Sequence, residues 1–237
     1  MRVAALYDVH GNLPALEAVL AEVEREEIEV TVAGGDVLWG PFQSECLHLL
    51  RAHGALFVSG NCERQVLAGA DESSAWCLGE MSASEREFVS TWPAGVALEV
   101  EGVGRALFCH ATPRSDEEIL TRLTPDADVA AALEGADADV VVCGHTHVQQ
   151  ERRVPGVPAL VNAGSVGLPY QGQPGAFWAV LGRGVEFRRT RYDFAEALDV
   201  LSASAFPAAG KIFGDSLAGA ATAESATAYF ESERRGA

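Results

Sequence analysis

A chain of 237 residues with a formal net charge of −17 has no overall attraction for a long polyanion, which argues against DNA or RNA as its partner. Its apolar content of 48% and mean hydropathy of +0.08 permit one substantial core, yet no apolar run is long enough to cross a membrane. The cysteines Cys46, Cys62, Cys77, Cys109 and Cys143 are odd in number and scattered, unlike a disulfide framework or a CxxC zinc clip, so a reducing cytoplasm is the expected compartment.

The chain opens on Met1-Arg2-Val3-Ala4-Ala5-Leu6-Tyr7-Asp8, too short and too early acidic for a secretory signal, and residues Val3 to Tyr7 read as a buried strand. Leu13 to Glu26 carry Leu13, Leu16, Leu20 and Val23 on one face, which predicts an amphipathic helix with Pro14 in its first turn. Ile28 to Ala33 predict a second strand, Gln43 to Ala52 a helix, and Ala55 to Val58 a third strand. This alternation implies parallel pairing with right-handed crossovers. Between Asp71 and Trp92 a short helix is expected around Ser84 to Ser90.

Strands then crowd together: Val96 to Val100, Arg105 to Cys109, Asp139 to Cys143, Ala159 to Asn162, Phe177 to Leu181 and Val185 to Arg191. Gly102-Val103-Gly104 and Gly182-Arg183-Gly184 read as hairpin turns, and Pro125 to Leu133 as a helix between strands. Two mixed sheets packed face to face, with helices outside, accommodate this α/β order. Phe194 to Leu217 read as helical stretches broken at Pro207. One domain is expected over residues 1–217, followed by an Ala- and Ser-rich tail, 218–237, as a weak helix or frayed end.

Several of these strand-like runs end in metal-ligand chemistry: Asp8-Val9-His10, Gly35-Asp36, Gly60-Asn61-Cys62-Glu63, His110 and Gly144-His145-Thr146-His147. Together they supply two carboxylates, one amide and four imidazoles, enough for two metal ions, a standard means of hydrolysing phosphate esters. On extended backbone, Asp8 and His10 would share a side and reach one ion. Gly11-Asn12 would then open a helix whose N-terminal N–H groups favour an anion such as phosphate. Asp36, after Gly34-Gly35, is the candidate bridge between two cations, and Asn61 a neutral ligand. His145 and His147 would serve one ion each if their turn splays them. Each match alone is weak; His48 and His53, within or beside a predicted helix, receive no role. The joint placement after strand ends, where open α/β sheets bind ligands, is what carries the assignment.

In order and spacing these segments resemble the motifs of the calcineurin-like metallophosphoesterases: D-x-H, G-D-x-x-x-x-G, G-N-[H/C]-[D/E], a lone H and G-H-x-H, here from Asp8 to His147. Asn162-Ala163-Gly164-Ser165-Val166-Gly167 resembles the N-P-G-S segment of the small bacterial and archaeal phosphodiesterase branch. The resemblance covers about residues 1 to 200 and implies a four-layer α/β/β/α sandwich with a dinuclear centre. It implies Asp8, His10, Asp36 and His147 as ligands of one ion, and Asp36, Asn61, His110 and His145 of the other. Manganese is the first expectation, with iron, zinc, nickel or cobalt compatible with the same donors. The implied reaction is attack of a metal-bridging hydroxide on a phosphodiester or activated phosphate ester.

Many relatives carry His where this chain has Cys62. A thiol can donate a proton but is a poorer acid than imidazolium; a catalytic role and a bystander role stand about even. Arg64 is a candidate contact for substrate phosphate or a surface ion pair, and Asn12 a substrate contact or a helix cap. A small phosphate ester is the expected partner, without membrane and without a readable oligomeric state. Two other readings compete: a non-catalytic phosphoesterase-like interaction scaffold, and a protein phosphatase. The filled ligand positions weigh against the first. The segment Gly35-Asp36-Val37-Leu38-Trp39-Gly40, which differs from the phosphoprotein branch's G-D-x-x-D-R-G, weighs against the second.

Overall fold

Strands buried on both faces are built from unbroken apolar runs, because neither face meets water. In the computed structural model, which describes residues 1–236, Val3–Leu6 (β1) and Val140–Cys143 (β6) are such strands, buried along their whole length. One sheet runs in the order β10-β9-β1-β2-β3, adding Val30–Ala33 (β2), Leu56–Phe57 (β3), Ala176–Leu181 (β9) and Val185–Thr190 (β10). The pairs β1–β2 and β2–β3 are parallel, with Ala5 beside Val32 and Ala33 beside Phe57, while β9 returns antiparallel to β1. The second sheet runs β4-β5-β6-β8-β7, from Gly95–Val100 (β4), Gly104–Cys109 (β5), Gln150–Arg152 (β7) and Ala159–Asn162 (β8) around β6.

The alternation of side chains along a strand divides the core. Val3, Ala5 and Tyr7 face Phe108, Val140, Val142 and Val161 of the other sheet. Ala4 and Leu6 face outward, with Leu16, Val19 and Val23 of Leu13–Arg25 (α1) and Leu47 and Leu50 of Gln43–His53 (α2). On the far side, Val129, Ala132 and Leu133 of Asp126–Leu133 (α6) cover Val141 and Leu160. The result is two mixed sheets between helical layers, as the resemblance implied.

Three elements of this part of the chain depart from the sequence reading. Asn61–Ala68 (α3) starts directly on the third motif, where the Glu63 side chain reaches back to the Gly60 N–H and nucleates the turn. Glu72–Glu80 (α4) is capped by Asp71, whose carboxylate accepts the Ser74 N–H; the expected short helix is Ala83–Ser90 (α5). β7 is three polar residues made a strand by pairing with β8, without a periodic pattern of its own.

On the outer side of the first sheet, in the cluster that holds Ala4 and Leu6, Phe194–Ser202 (α7) and Ala209–Leu217 (α8) flank Pro207. The tail expected to be weak or frayed forms Ala223–Gly236 (α9), held by a polar anchor. The buried Glu231 carboxylate accepts from Thr121 Oγ1 at 2.6 Å and Thr124 Oγ1 at 2.8 Å, and Arg234 joins it to Asp128. Among the described residues, no helix is long and apolar enough to cross a membrane.

Candidate metal centre

The loops leaving β1, β2, β3, β5 and β6 emerge at one edge, because these strands run parallel within their sheets. Asp8 and His10 follow β1, Asp36 follows β2 and Asn61 follows β3, while His110 and the His145–His147 turn come from the second sheet. Three groups have ligand atoms within 4.8 Å of one another: Asp8, His10 and His147; Asp8, Asp36 and His110; His10, Asp36 and Cys62.

The imidazoles are oriented from behind. His110 Nδ1 lies 3.1 Å from the Gly34 carbonyl and His147 Nδ1 lies 2.6 Å from the Leu168 carbonyl, so each Nδ1–H donates outward. That leaves both Nε2 atoms facing inward and able to ligate, a common arrangement for metal-binding histidines. His110 Nε2 is 3.0 Å from Asn61 Oδ1 and 3.4 Å from Asp36 Oδ2. His147 Nε2 is 3.3 Å from Asp8 Oδ1 and from His10 Nε2. His145 stands apart from the three groups: its Nε2 is 3.2 Å from the Glu117 carbonyl, and its ring packs edge-on to His110 at 5.2 Å.

The backbone departs from the expectation of extended Asp8-x-His10. Asp8 and His10 have φ of 53° and 48°, Asp36 53°, His145 67° and His147 55°. Left-handed backbone costs L residues about 1–3 kcal/mol each. Here it is held by Asp8 N–H to Gly35 O, His10 N–H to Asp36 O, and Ser165 Oγ and Gly167 N–H to Asp8 O. The two carboxylates are also seated against glycine. A methyl added at Gly60 would overlap Asp36 Oδ1, and one at Gly144 would overlap Asp8 Oδ2.

The expected anion site at the start of α1 is closed. Leu13 N–H donates to Gly11 O, Pro14 has no N–H, and Ala15 N–H donates to the Asn12 side chain at 3.2 Å.

Two buried side chains position these loops from one step away. The Glu63 carboxylate accepts N–H groups from Asp36 at 2.8 Å, Val37 at 2.8 Å, Leu38 at 3.0 Å and Gly60 at 2.7 Å. Asn162 Nδ2 donates to the Gly144 carbonyl and, at 3.0 Å, to Thr146 Oγ1, bracing the histidine turn. Both residues stood in the motif segments, but four convergent backbone donors leave no mark on sequence.

Burial opposes every charge here. Desolvation works to protonate Asp36, yet adjacent His110 holds its carboxyl well below the usual range. Burial likewise works to neutralise His110, but Asp36 pushes it up to about 10. His10 is driven down to about 4, by burial and then by His147. Buried carboxylates and imidazoles turned toward one point, with His10 Nδ1 left without a partner, suit divalent cations better than any internal pairing. The two groups made of carboxylate and imidazole alone, Asp8–His10–His147 and Asp8–Asp36–His110, share Asp8, whereas the resemblance implied Asp36 as the shared ligand; Asp36 joins His10 and Cys62 in the third group.

Residues 1–181 match the calcineurin-like phosphoesterase superfamily domain. The chain belongs to that superfamily. It is similar to an uncharacterized protein of Methanocaldococcus jannaschii, 26% identical over 233 residues that cover 86% of this chain and 93% of the relative. In structure it resembles a metallophosphoesterase from Sphaerobacter thermophilus, at 24% identity and a TM-score of 0.74 over 92% of this chain and 100% of that one. It also resembles the hypothetical protein PH1004 from Pyrococcus horikoshii OT3, at 18% identity and a TM-score of 0.75 over 92% and 98% of the two chains.

Three further candidate residues resolve differently. Asn12 is fully buried; it caps α1, and its Nδ2 donates to the Gly167 carbonyl at 2.9 Å, so it braces a loop, the capping reading. Arg64 is paired through Nε with Asp116 at 3.0 Å and through Nη2 with Glu117 at 2.9 Å, the ion-pair reading. Cys62 lies at the centre's wall: its N–H donates to Asp36 Oδ1 at 2.9 Å, and burial, then Asp36, pushes its thiol well above the ordinary value.

Proposed function

We propose that this chain is a dinuclear metal-dependent phosphoesterase acting on phosphodiesters or activated phosphate esters. The carrying observation is that His110 and His147 are turned by backbone carbonyls so that both Nε2 atoms face the Asp8 and Asp36 carboxylates. Asp8, His10, Asp36 and His147 would hold one divalent cation, and Asp36, Asn61 and His110 the other, which His145 would join by turning its Nε2 away from the Glu117 carbonyl, with manganese first among the candidates. Such a pair, when bound, neutralises phosphoryl oxygens and lowers the pKa of water to near neutrality.

The chain's own part is orientation and burial. Glu63 and Asn162 hold the ligand loops, and Gly60 and Gly144 leave room for the carboxylates. Cys62 is 7% exposed, and burial, then Asp36, pushes its thiol up. A weak acid at that position favours esters with good leaving groups, which is why activated esters and diesters lead the proposal.

The test is a panel of phosphate mono- and diesters with protein stripped by chelator and then reloaded with Mn²⁺, Zn²⁺, Fe²⁺, Ni²⁺ or Co²⁺. Hydrolysis should return with metal, and Asp36→Asn and His110→Ala should lower kcat/KM by about 100-fold or more. A metal-loaded protein that cleaves nothing on the panel, or ligand variants equal to wild type, overturns the reading.

A further inference from the structure

Resting on the reading that phosphate esters bind at the Asp8–His147 centre, we propose that a cavity between Tyr170 and α9 holds a planar aromatic substituent of the ester, a nucleobase or an aryl ring. Two rings belong to both places. Tyr170 stacks on the candidate ligand His147, with centroids 4.9 Å apart and planes inclined by 17°. Phe230 of α9 lies 6.4 Å from His145 and 6.4 Å from Tyr170. The same Tyr170 and Phe230 line a cavity of about 240 Å³, completed by Ala221, Ser225, Ala226 and Tyr229.

A group extending from a phosphate at the centre toward α9 would meet these rings. The volume suits one ring system rather than a whole drug-sized molecule. The lining carries no cation, so it does not suit a further phosphate. Ser225, its one aliphatic hydroxyl, is engaged with Thr222 in the turn that opens α9. What remains is aromatic face and small apolar side chains, which bind a flat ring by stacking and without reading its edges. Tyr229 is 59% exposed, placed to close over such a ring from solvent.

Apart from Tyr170, this wall comes from outside residues 1–181, the part of the chain that matches the superfamily domain. Its placement is nonetheless secured: the residue next to Phe230 is Glu231, anchored to Thr121 and Thr124, and Gly172 N–H donates to Ala221 O at 2.9 Å beside the Tyr170 loop.

The test compares phenylphosphonate with methylphosphonate, by calorimetry on Mn²⁺-loaded full-length protein, so that it does not depend on turnover. Wild type should bind the phenyl compound about tenfold more tightly, the stacking of one ring. Phe230→Ala should collapse that ratio toward one, and Phe230→Tyr should restore it, which a merely structural role for Phe230 would not produce. The same comparison of adenosine 5′-phosphate with ribose 5-phosphate separates a nucleobase from a simple aryl group. Equal binding of the members of both pairs, or a ratio that survives Phe230→Ala, overturns this proposal and leaves the phosphoesterase reading standing. Failure of every phosphonate and phosphate to bind the metal-loaded protein overturns both.

Discussion

Glu63 holds Asp36 through the main chain: its carboxylate accepts the Asp36 N–H at 2.8 Å while the Asp36 carboxylate faces His110. One buried side chain thus ties the β2 loop to the start of α3. Replacing Glu63 by Ala strands the four backbone donors of Asp36, Val37, Leu38 and Gly60, for an expected loss of about 3–5 kcal/mol in denaturant unfolding. Glu63→Gln, which keeps one acceptor, should lose less, and a stable Glu63→Ala would refute the role.

The glycines that seat the carboxylates are testable one at a time. Gly60 has φ of −105°, which alanine adopts freely, so its constraint is steric: an added methyl would crowd Asp36 Oδ1 most closely, and Asp36 N and His110 Nδ1 as well. Gly60→Ala should therefore displace the Asp36 carboxylate and lower bound metal below two equivalents by elemental analysis, while far-UV dichroism stays native. Unchanged stoichiometry would speak against Asp36 as the shared ligand.

Metal should stabilise the fold by mass action. At about 100 times its dissociation constant, Mn²⁺ should add about 2.7 kcal/mol, read as a higher Tm than in chelator. Asp8→Asn and His147→Ala should abolish the increment. Because imidazole must be neutral to bind, loading should release protons and weaken toward acid pH.

Acid should release α9 before the core unfolds. Burial raises the Glu231 pKa, but Arg234, Thr121 and Thr124 outweigh it, and the net shift is below the ordinary value of 4.5. A lowered carboxyl contributes stability that is whole above 4.5 and fades as pH falls through the folded value. Amide exchange in Ala223–Gly236 should be steady from neutrality down to that range and accelerate below it. Glu231→Gln should show the acid behaviour already at neutral pH.

The strand order and the ligand motifs were legible because the inner strands are unbroken apolar runs that stop at polar residues. Val3 to Tyr7 before Asp8 and Val140 to Cys143 before Gly144 are the plainest cases. Conformation at those stops was not legible. An Asp or His at positive φ looks like any other in sequence, so Asp8 and His10 read as extended when each is left-handed. Helices α3 and α4 were hidden because their signals are caps, Glu63 and Asp71, rather than long apolar stripes. The docking of α9 depends on Thr121 and Thr124, more than a hundred positions away in the chain, a relation no local pattern records.

Asp8, His10, Asp36 and Asn61 come from one sheet and His110, His145 and His147 from the other. Ions seated among them would act as rivets through both halves of the sandwich, so the halves could not part without shedding them. During synthesis the full grip would not exist until the ribosome had passed His147, and metal capture would mark the moment the second half closes on the first.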